Sequence, residues 1–195
     1  VGSFGKIASY SFYPGKNLGA YGDAGGITTS HTELAQTCRV IANHGQVEKH
    51  HHLREGRNSR LDTLQAAILD VKLKHLDEWT EKRIARATYY NNQLGELPIS
   101  IPVLEDDVRH VFHVYVIQVE DRDTVKQKLA EKGVNTQIHY PRSLPELPPY
   151  QERFNPDDFP VARDLGAKGL SLPLFAEITK EQQDHVVASL REVLG

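Results

Sequence analysis

Lys16 stands in the run Ser11-Phe12-Tyr13-Pro14-Gly15-Lys16-Asn17-Leu18-Gly19, with Gly22, Gly25 and Gly26 close behind. A P-loop needs G-x-x-x-x-G-K-[ST]; here Asn17 follows the lysine and Tyr10 occupies the first glycine position. Gly5-Lys6-Ile7 fails at the hydroxyl position, and no G-x-G-x-x-G occurs among these glycines, so neither nucleotide-loop reading survives. What remains is a lysine just after a strand-like segment, among glycines that let a flat ligand approach the backbone closely. A neutral amine in that position can form a Schiff base with an aldehyde cofactor. On local spacing alone, a solvated turn lysine is the favoured reading.

Other residues offer chemistry with weaker signals. Ten histidines are many for 195 residues, and His44, His50, His51 and His52 cluster. Three consecutive histidines in a polar loop point in different directions, and the lone Cys38 lies on a preceding helix, so no metal site is expected. Ser11 lacks the G-x-S-x-G elbow of a nucleophile. Asn58 and Arg60, at the start of a long helix, either meet an anion at its N-terminus or simply cap it; local evidence favours capping. His139 and Tyr140, ending a strand before Pro141, either face a ligand or pack at a sheet edge.

The elements that must hold these groups follow from periodicity. Residues 6–12 alternate as a strand, and residues 27–29 form a second. Ser30 or Thr32 can cap a helix over residues 33–42, and a polar, histidine-rich loop fills residues 43–57. Leu61, Leu64, Ile68, Val71, Leu76 and Trp79 then recur as a stripe that predicts one long, buried-faced helix to residue 94, with Lys72 and Lys74 on solvated faces. Beyond Pro98 and Pro102 the pattern becomes strand (111–119), helix (122–131, stopped by Gly133) and strand (135–140). A proline-rich loop precedes a helix at 161–168, an extended run at 170–174 and a closing helix at 180–194. Alternating strands and helices argue for an α/β fold in two lobes joined near the long helix.

Composition bounds the function. With 23 basic and 26 acidic residues the net charge is −3, without the basic excess of a nucleic-acid binder. No apolar run reaches the ~18 residues of a membrane span, and a single cysteine fits a reducing compartment, so a cytoplasmic location is expected. There is no methionine, and the chain opens Val1-Gly2-Ser3, which reads as a processed, truncated or partial chain.

Taken in order, several segments resemble one family. The run from Ser11 to Gly26 is similar to the cofactor-lysine segment of the DegT/DnrJ/StrS sugar-nucleotide aminotransferases. The likeness continues through Asn43-His44-Gly45, Gly56-Arg57-Asn58-Ser59-Arg60-Leu61-Asp62, Leu64-Gln65-Ala66-Ala67-Ile68-Leu69, Ile138-His139-Tyr140-Pro141 and Leu170-Ser171-Leu172-Pro173-Leu174-Phe175. The resemblance implies an α/β, aspartate-aminotransferase-like fold, type I among pyridoxal-phosphate enzymes. Residues 1–80 would be the C-terminal part of the cofactor-binding large domain, including most of the long helix, and residues 81–195 the small C-terminal α/β domain.

The same resemblance implies roles. Lys16 would hold pyridoxal 5'-phosphate covalently and shuttle a proton. Ser11 would bond the cofactor phosphate, and Asn58 would reach the phosphate of the neighbouring subunit's cofactor in a homodimer. Arg60, His139 and Tyr140 are the candidates for contacts to a keto sugar nucleotide. Related sugar dehydratases carry histidine where Lys16 stands, so transamination is preferred over dehydration. The implied reaction moves an amino group from a donor such as L-glutamate to a keto sugar nucleotide, with a lean toward 3-keto-6-deoxyhexoses in deoxyaminosugar biosynthesis. The family is about twice this long, and its N-terminal half supplies the carboxylate that pairs with the cofactor's ring nitrogen; no segment here replaces it. The alternative is therefore a non-catalytic or dimerising fragment that does not turn over alone.

Overall fold

The computed structural model describes residues 2–105 and 107–195, in two compact units, Val1–Asp77 and Glu78–Gly195. In the first unit, β1 (Ala8–Ser11) pairs antiparallel with β2 (Gly25–Thr28), Ser11 opposite Gly25. Helix α1 (Thr32–Ala42) follows. Neither Ser30 nor Thr32 caps it: His31 is the N-cap residue without a side-chain bond, and its N–H donates to Thr29 Oγ1 at 3.0 Å instead.

The histidine-rich segment expected to be loop is a small hairpin, β3 (Gln46–Glu48) against β4 (His51–His52), with a bulge at Gln46/Glu48. Gly45 makes it possible, since its φ is +74° and a Cβ there would lie 1.7 Å from the Arg54 carbonyl oxygen.

The expected single long helix is two, α2 (Thr63–Leu73) and α3 (Leu76–Leu94). The five-residue step from Val71 to Leu76 explains the break, because a continuous helix would rotate the second side chain about 140° off the stripe. The stripe is also not buried along α2: Leu64 is 71% exposed and Val71 59%, while Leu69 is buried.

The second unit holds the core. Its centre is an antiparallel pair, β5 (Tyr115–Gln118) and β6 (Gly169–Leu172), with Tyr115 opposite Leu172 and Gln118 opposite Gly169. Helix α4 (Arg122–Glu131) lies between them in sequence. Its predicted stop is observed: Gly133 has φ +78°, and the N–H of Val134 returns to the Leu129 carbonyl at 2.9 Å. The proline-rich segment contains a one-turn helix α5 (Pro148–Gln151), flanked by single 3-10 turns at Leu144–Glu146 and Pro156–Asp158. Then come α6 (Pro160–Lys168) and α7 (Lys180–Leu194).

Thr179 and Gln182 close a reciprocal capping box at the start of α7, at 3.2 and 2.9 Å, an arrangement worth about 1 kcal/mol. Tyr90 and Leu94 of α3, Leu129 of α4 and Leu190 of α7 close with Tyr115, Ile117 and Leu170 into one buried cluster. The expected strand over 135–140 reduces to one bridge, Gln137 against Ser171. Tyr140 precedes Pro141, whose ring fixes φ and removes a ladder donor.

Candidate active site

In the first unit, Lys16 is placed by a β-turn. Its N–H donates to the Tyr13 carbonyl at 2.8 Å, with Pro14 and Gly15 as the central residues. The loop around it is tied at its base, because Phe12 donates to the Ala24 carbonyl (2.9 Å) and accepts from the Ala20 N–H (2.8 Å). Gly19 packs so tightly against the turn that a Cβ would sit 2.3 Å from the Pro14 carbonyl oxygen. Lys16 is therefore a half-buried lysine on a closed, tightly packed loop at the end of β1. Ser11, the last residue of β1, accepts from the Tyr13 N–H at 3.3 Å, which leaves its hydroxyl hydrogen for donation.

Two residues of α2 hold this loop, and neither stands out in the sequence. Gln65 accepts from the Tyr21 N–H through Oε1 at 2.8 Å, and Lys72 donates from Nζ to the Gly19 carbonyl at 2.5 Å, with its ammonium 5.3 Å from the Tyr21 ring centroid. Lys72 thus anchors a turn rather than solvating a helix face. One signal is available, since residues seven apart lie almost in line after two helical turns, but it says nothing of what they meet.

Asn58 and Arg60 do not cap α2. The helix begins at Thr63, with Asp62 as an N-cap that makes no side-chain bond. Instead Arg60 donates from Nε to Asn58 Oδ1 at 3.0 Å and from Nη1 to Asn43 Oδ1 at 3.1 Å, across the Asn43–Asn58 bridge. The Asn58 amide oxygen is occupied, so its NH2 group is the part available to an acceptor. Sequence reasoning misses Asn43 as a partner because the bridge joins residues 15 apart in sequence. Arg60, with Asp23, Cys38 and Arg39, also lines a cavity of about 860 Å³ between the β1–β2 pair and α1; Lys16, Ser11 and Asn58 do not line it.

His139 and Tyr140 belong to the second unit. His139 Nδ1 lies 2.8 Å from Ser171 Oγ, its ring meets that of Tyr140 edge-on at 5.8 Å, and Tyr140 is 71% exposed. In the same unit, the half-buried Arg83 on α3 gathers the carbonyls of Phe112, His113 and Leu174 at 3.2, 3.3 and 3.2 Å. Burial lowers its pKa, and the charge of Glu177 opposes that shift. Among the described residues, no group of three His, Cys, Asp or Glu side chains could hold a metal ion. No helix among them is long and apolar enough to cross a membrane.

The sequence matches the DegT/DnrJ/EryC1/StrS aminotransferase family over residues 1–191. The chain belongs to this family. Among its relatives are a pleiotropic regulatory protein of Geobacillus stearothermophilus, 44% identical over 98% of this chain and 53% of its own, and dTDP-3-amino-3,4,6-trideoxy-alpha-D-glucose transaminase of Streptomyces venezuelae, 38% identical over 98% and 51%. The crystal structure of S. venezuelae DesV in complex with a ketimine intermediate superposes with a TM-score of 0.92 at 38% identity, covering 98% of this chain and 52% of DesV. The fold is thus that of the family's sugar aminotransferases, and the chain spans about half the length of the relatives it matches.

Pyridoxal phosphate, the cofactor this family implies, needs an amine for its aldehyde and donors for its phosphate. Lys16 on its closed loop, the donating hydroxyl of Ser11 and the NH2 of Asn58 fit those needs chemically.

Proposed function

We propose that this chain carries the cofactor-lysine end of a pyridoxal-phosphate-dependent aminotransferase that moves an amino group from L-glutamate to the C3 carbonyl of a keto sugar nucleotide, a 3-keto-6-deoxyhexose in deoxyaminosugar biosynthesis. The observation that carries this reading is Lys16, held at the end of β1 by the Tyr13–Lys16 turn within a member of this family. The S. venezuelae relative, named for a 3-amino sugar, supports the lean toward C3.

When bound, pyridoxal phosphate supplies an electron sink that makes an acidic α-carbon accessible on the amino donor. Lys16 Nζ would hold the cofactor covalently, and its amine would carry the proton taken from the donor's α-carbon. Ser11 donates its hydroxyl hydrogen to the phosphate. Asn58, oriented by Arg60, donates its NH2 to the phosphate of the second subunit's cofactor in a homodimer. Arg60, His139 and Tyr140 contact the sugar nucleotide. In this reading residues 1–80 are the C-terminal part of the cofactor-binding large domain and residues 81–195 the small domain. The apolar side chains exposed on α2, Leu64 and Val71 among them, are covered in the assembled enzyme.

The name of the Geobacillus relative favours a second reading, in which the chain serves regulation without turnover. One experiment separates the two. The chain is incubated with pyridoxal phosphate, followed by its visible absorption, reduced with borohydride and digested. Label on Lys16, with glutamate-dependent conversion of the cofactor to its amine form, is the expected result. Label elsewhere, or none, defeats the enzyme reading of this chain; glutamate-dependent conversion defeats the regulatory one.

A further inference from the structure

Ser171 is 4% exposed in the middle of β6, between Leu170 and Leu172, which are buried too. Its backbone is fixed on both sides. It stands opposite Val116 in the β5–β6 register, and it exchanges two bonds with Gln137, its N–H donating at 2.7 Å and its carbonyl accepting at 3.1 Å. The Cα that carries the hydroxyl is therefore held in place, and Nδ1 of His139, two residues beyond Gln137, meets the hydroxyl at 2.8 Å. Residues that contact each other this closely across 32 positions do so because the Gln137 bridge brings the segment in.

The bond can run either way. If a protonated Nδ1 donated to Oγ, the buried hydroxyl hydrogen would have no acceptor among the described residues, and a buried donor left unmade costs more than one such bond returns. If the hydroxyl donates to Nδ1, both groups are satisfied and the ring's proton sits on Nε2. His139 is itself exposed, and Nδ1 is the ring nitrogen at Ser171, so Nε2–H is the donor left for a ligand.

We propose that Ser171 is a positioning residue that fixes the orientation and tautomer of His139, so that the imidazole presents an Nε2–H donor to an oxygen acceptor of a bound ligand. That this ligand is the nucleotide sugar, through a phosphate or carbonyl oxygen, rests on the function proposed above; the tautomer assignment does not.

The test is nitrogen NMR of the imidazoles in the full chain labelled with nitrogen-15, at mildly alkaline pH. In the unmodified chain His139 shows a protonated Nε2 and an accepting Nδ1; a protonated Nδ1 overturns the proposal without need of any variant. In Ser171→Ala the Nδ1 resonance shifts and the ring loses its single orientation, while Ser171→Thr restores the original pattern. An unchanged His139 spectrum in a folded Ser171→Ala overturns the proposal. Should Ser171→Ala not fold, by its thermal transition, the unmodified chain and Ser171→Thr decide. Titration with UDP and dTDP then separates the two claims. A shift at His139 that is weakened several-fold by Ser171→Ala supports both. No shift, with the tautomer result intact, removes His139 from the nucleotide site and leaves the positioning role of Ser171 standing.

Discussion

The two units both carry many apolar residues and use them differently. Among the described residues of the first unit, Ala20 and Leu69 are the buried hydrophobics, while Ile27, Leu53, Leu61, Leu64, Val71 and Leu73 are exposed. In the second, Tyr90, Leu94, Tyr115, Ile117, Leu129, Leu170 and Leu190 are all at 0% exposure in one cluster. The first unit is held by polar ties of long sequence separation, Gln65 to Tyr21, Lys72 to Gly19 and Arg60 to Asn43. The second is held by close packing, with buried polar ties such as Arg122 to the Gly166 and Gly169 carbonyls beside it. The difference teaches that Lys16 sits on a loop fixed by a few hydrogen bonds. The unit carrying His139 is rigid enough to orient a ring through one serine.

Substitutions that strike one unit and spare the other sharpen this contrast. The largest effect belongs to Lys16→Ala, which abolishes borohydride-fixed cofactor labelling at position 16 and leaves thermal unfolding of the second unit unchanged. Trp79, the sole tryptophan, lies in that unit and reports it by fluorescence. Next comes a matched pair of truncations. Leu129→Ala, at 0% exposure, costs about 2–5 kcal/mol in denaturant unfolding. Leu64→Ala, at 71% exposure, changes stability by under about 0.5 kcal/mol. Equal losses in the two variants would break the comparison.

A smaller effect is expected at Arg122, which is buried at the start of α4 and donates from Nη1 to the carbonyls of Gly166 and Gly169 at 3.2 and 3.1 Å. Arg122→Met keeps much of the volume and strands those acceptors, at a cost of about 1–3 kcal/mol, read from the chemical denaturation midpoint. The smallest and most gradual effect is alkaline. Burial raises the pKa of both Tyr90 and Tyr115 well above the ordinary phenol value. A raised folded-state pKa contributes stability that is present below the unfolded-state value, about 10, and lost as pH rises beyond it. Unfolding of the second unit followed by Trp79 should therefore shift to lower denaturant above about pH 10, and Tyr90→Phe should flatten that dependence. A transition that does not move across this range would remove the tyrosines from the account.

Part of the fold is legible in the residues alone. Helices α4 and α7 keep the bounds that their spacing predicts, because Gly133 stops one and the periodicity of the other runs to the last residues of the chain. The single helix predicted over α2 and α3 fails, because its stripe of apolar residues crosses a five-residue step that no continuous helix keeps on one face. The strand expected at 135–140 survives only at Gln137, because alternation in sequence does not say whether a partner strand is within reach. At the candidate site, the residue types on offer are legible and their partners are not: Lys16 and Ser11 are conspicuous by neighbourhood, whereas Gln65 and Asn43 gain their roles from chain segments distant in sequence.

By itself, the sequence determined which chemistry is on offer. A lysine between Gly15 and Gly19, a serine at the end of a strand, and motifs in the family's order are facts of residue type and spacing, and local backbone preference carries them. Only the tertiary structure decided what those residues touch. Arg60 orients Asn58 rather than capping a helix, Lys72 anchors the lysine loop, and a buried Ser171 turns His139. The bonds of Arg60 to Asn43, Lys72 to Gly19 and Ser171 to His139 join groups that hydrogen-bond at about 3 Å but owe their meeting to how the backbone is folded between them, and neighbours along the chain do not carry that information.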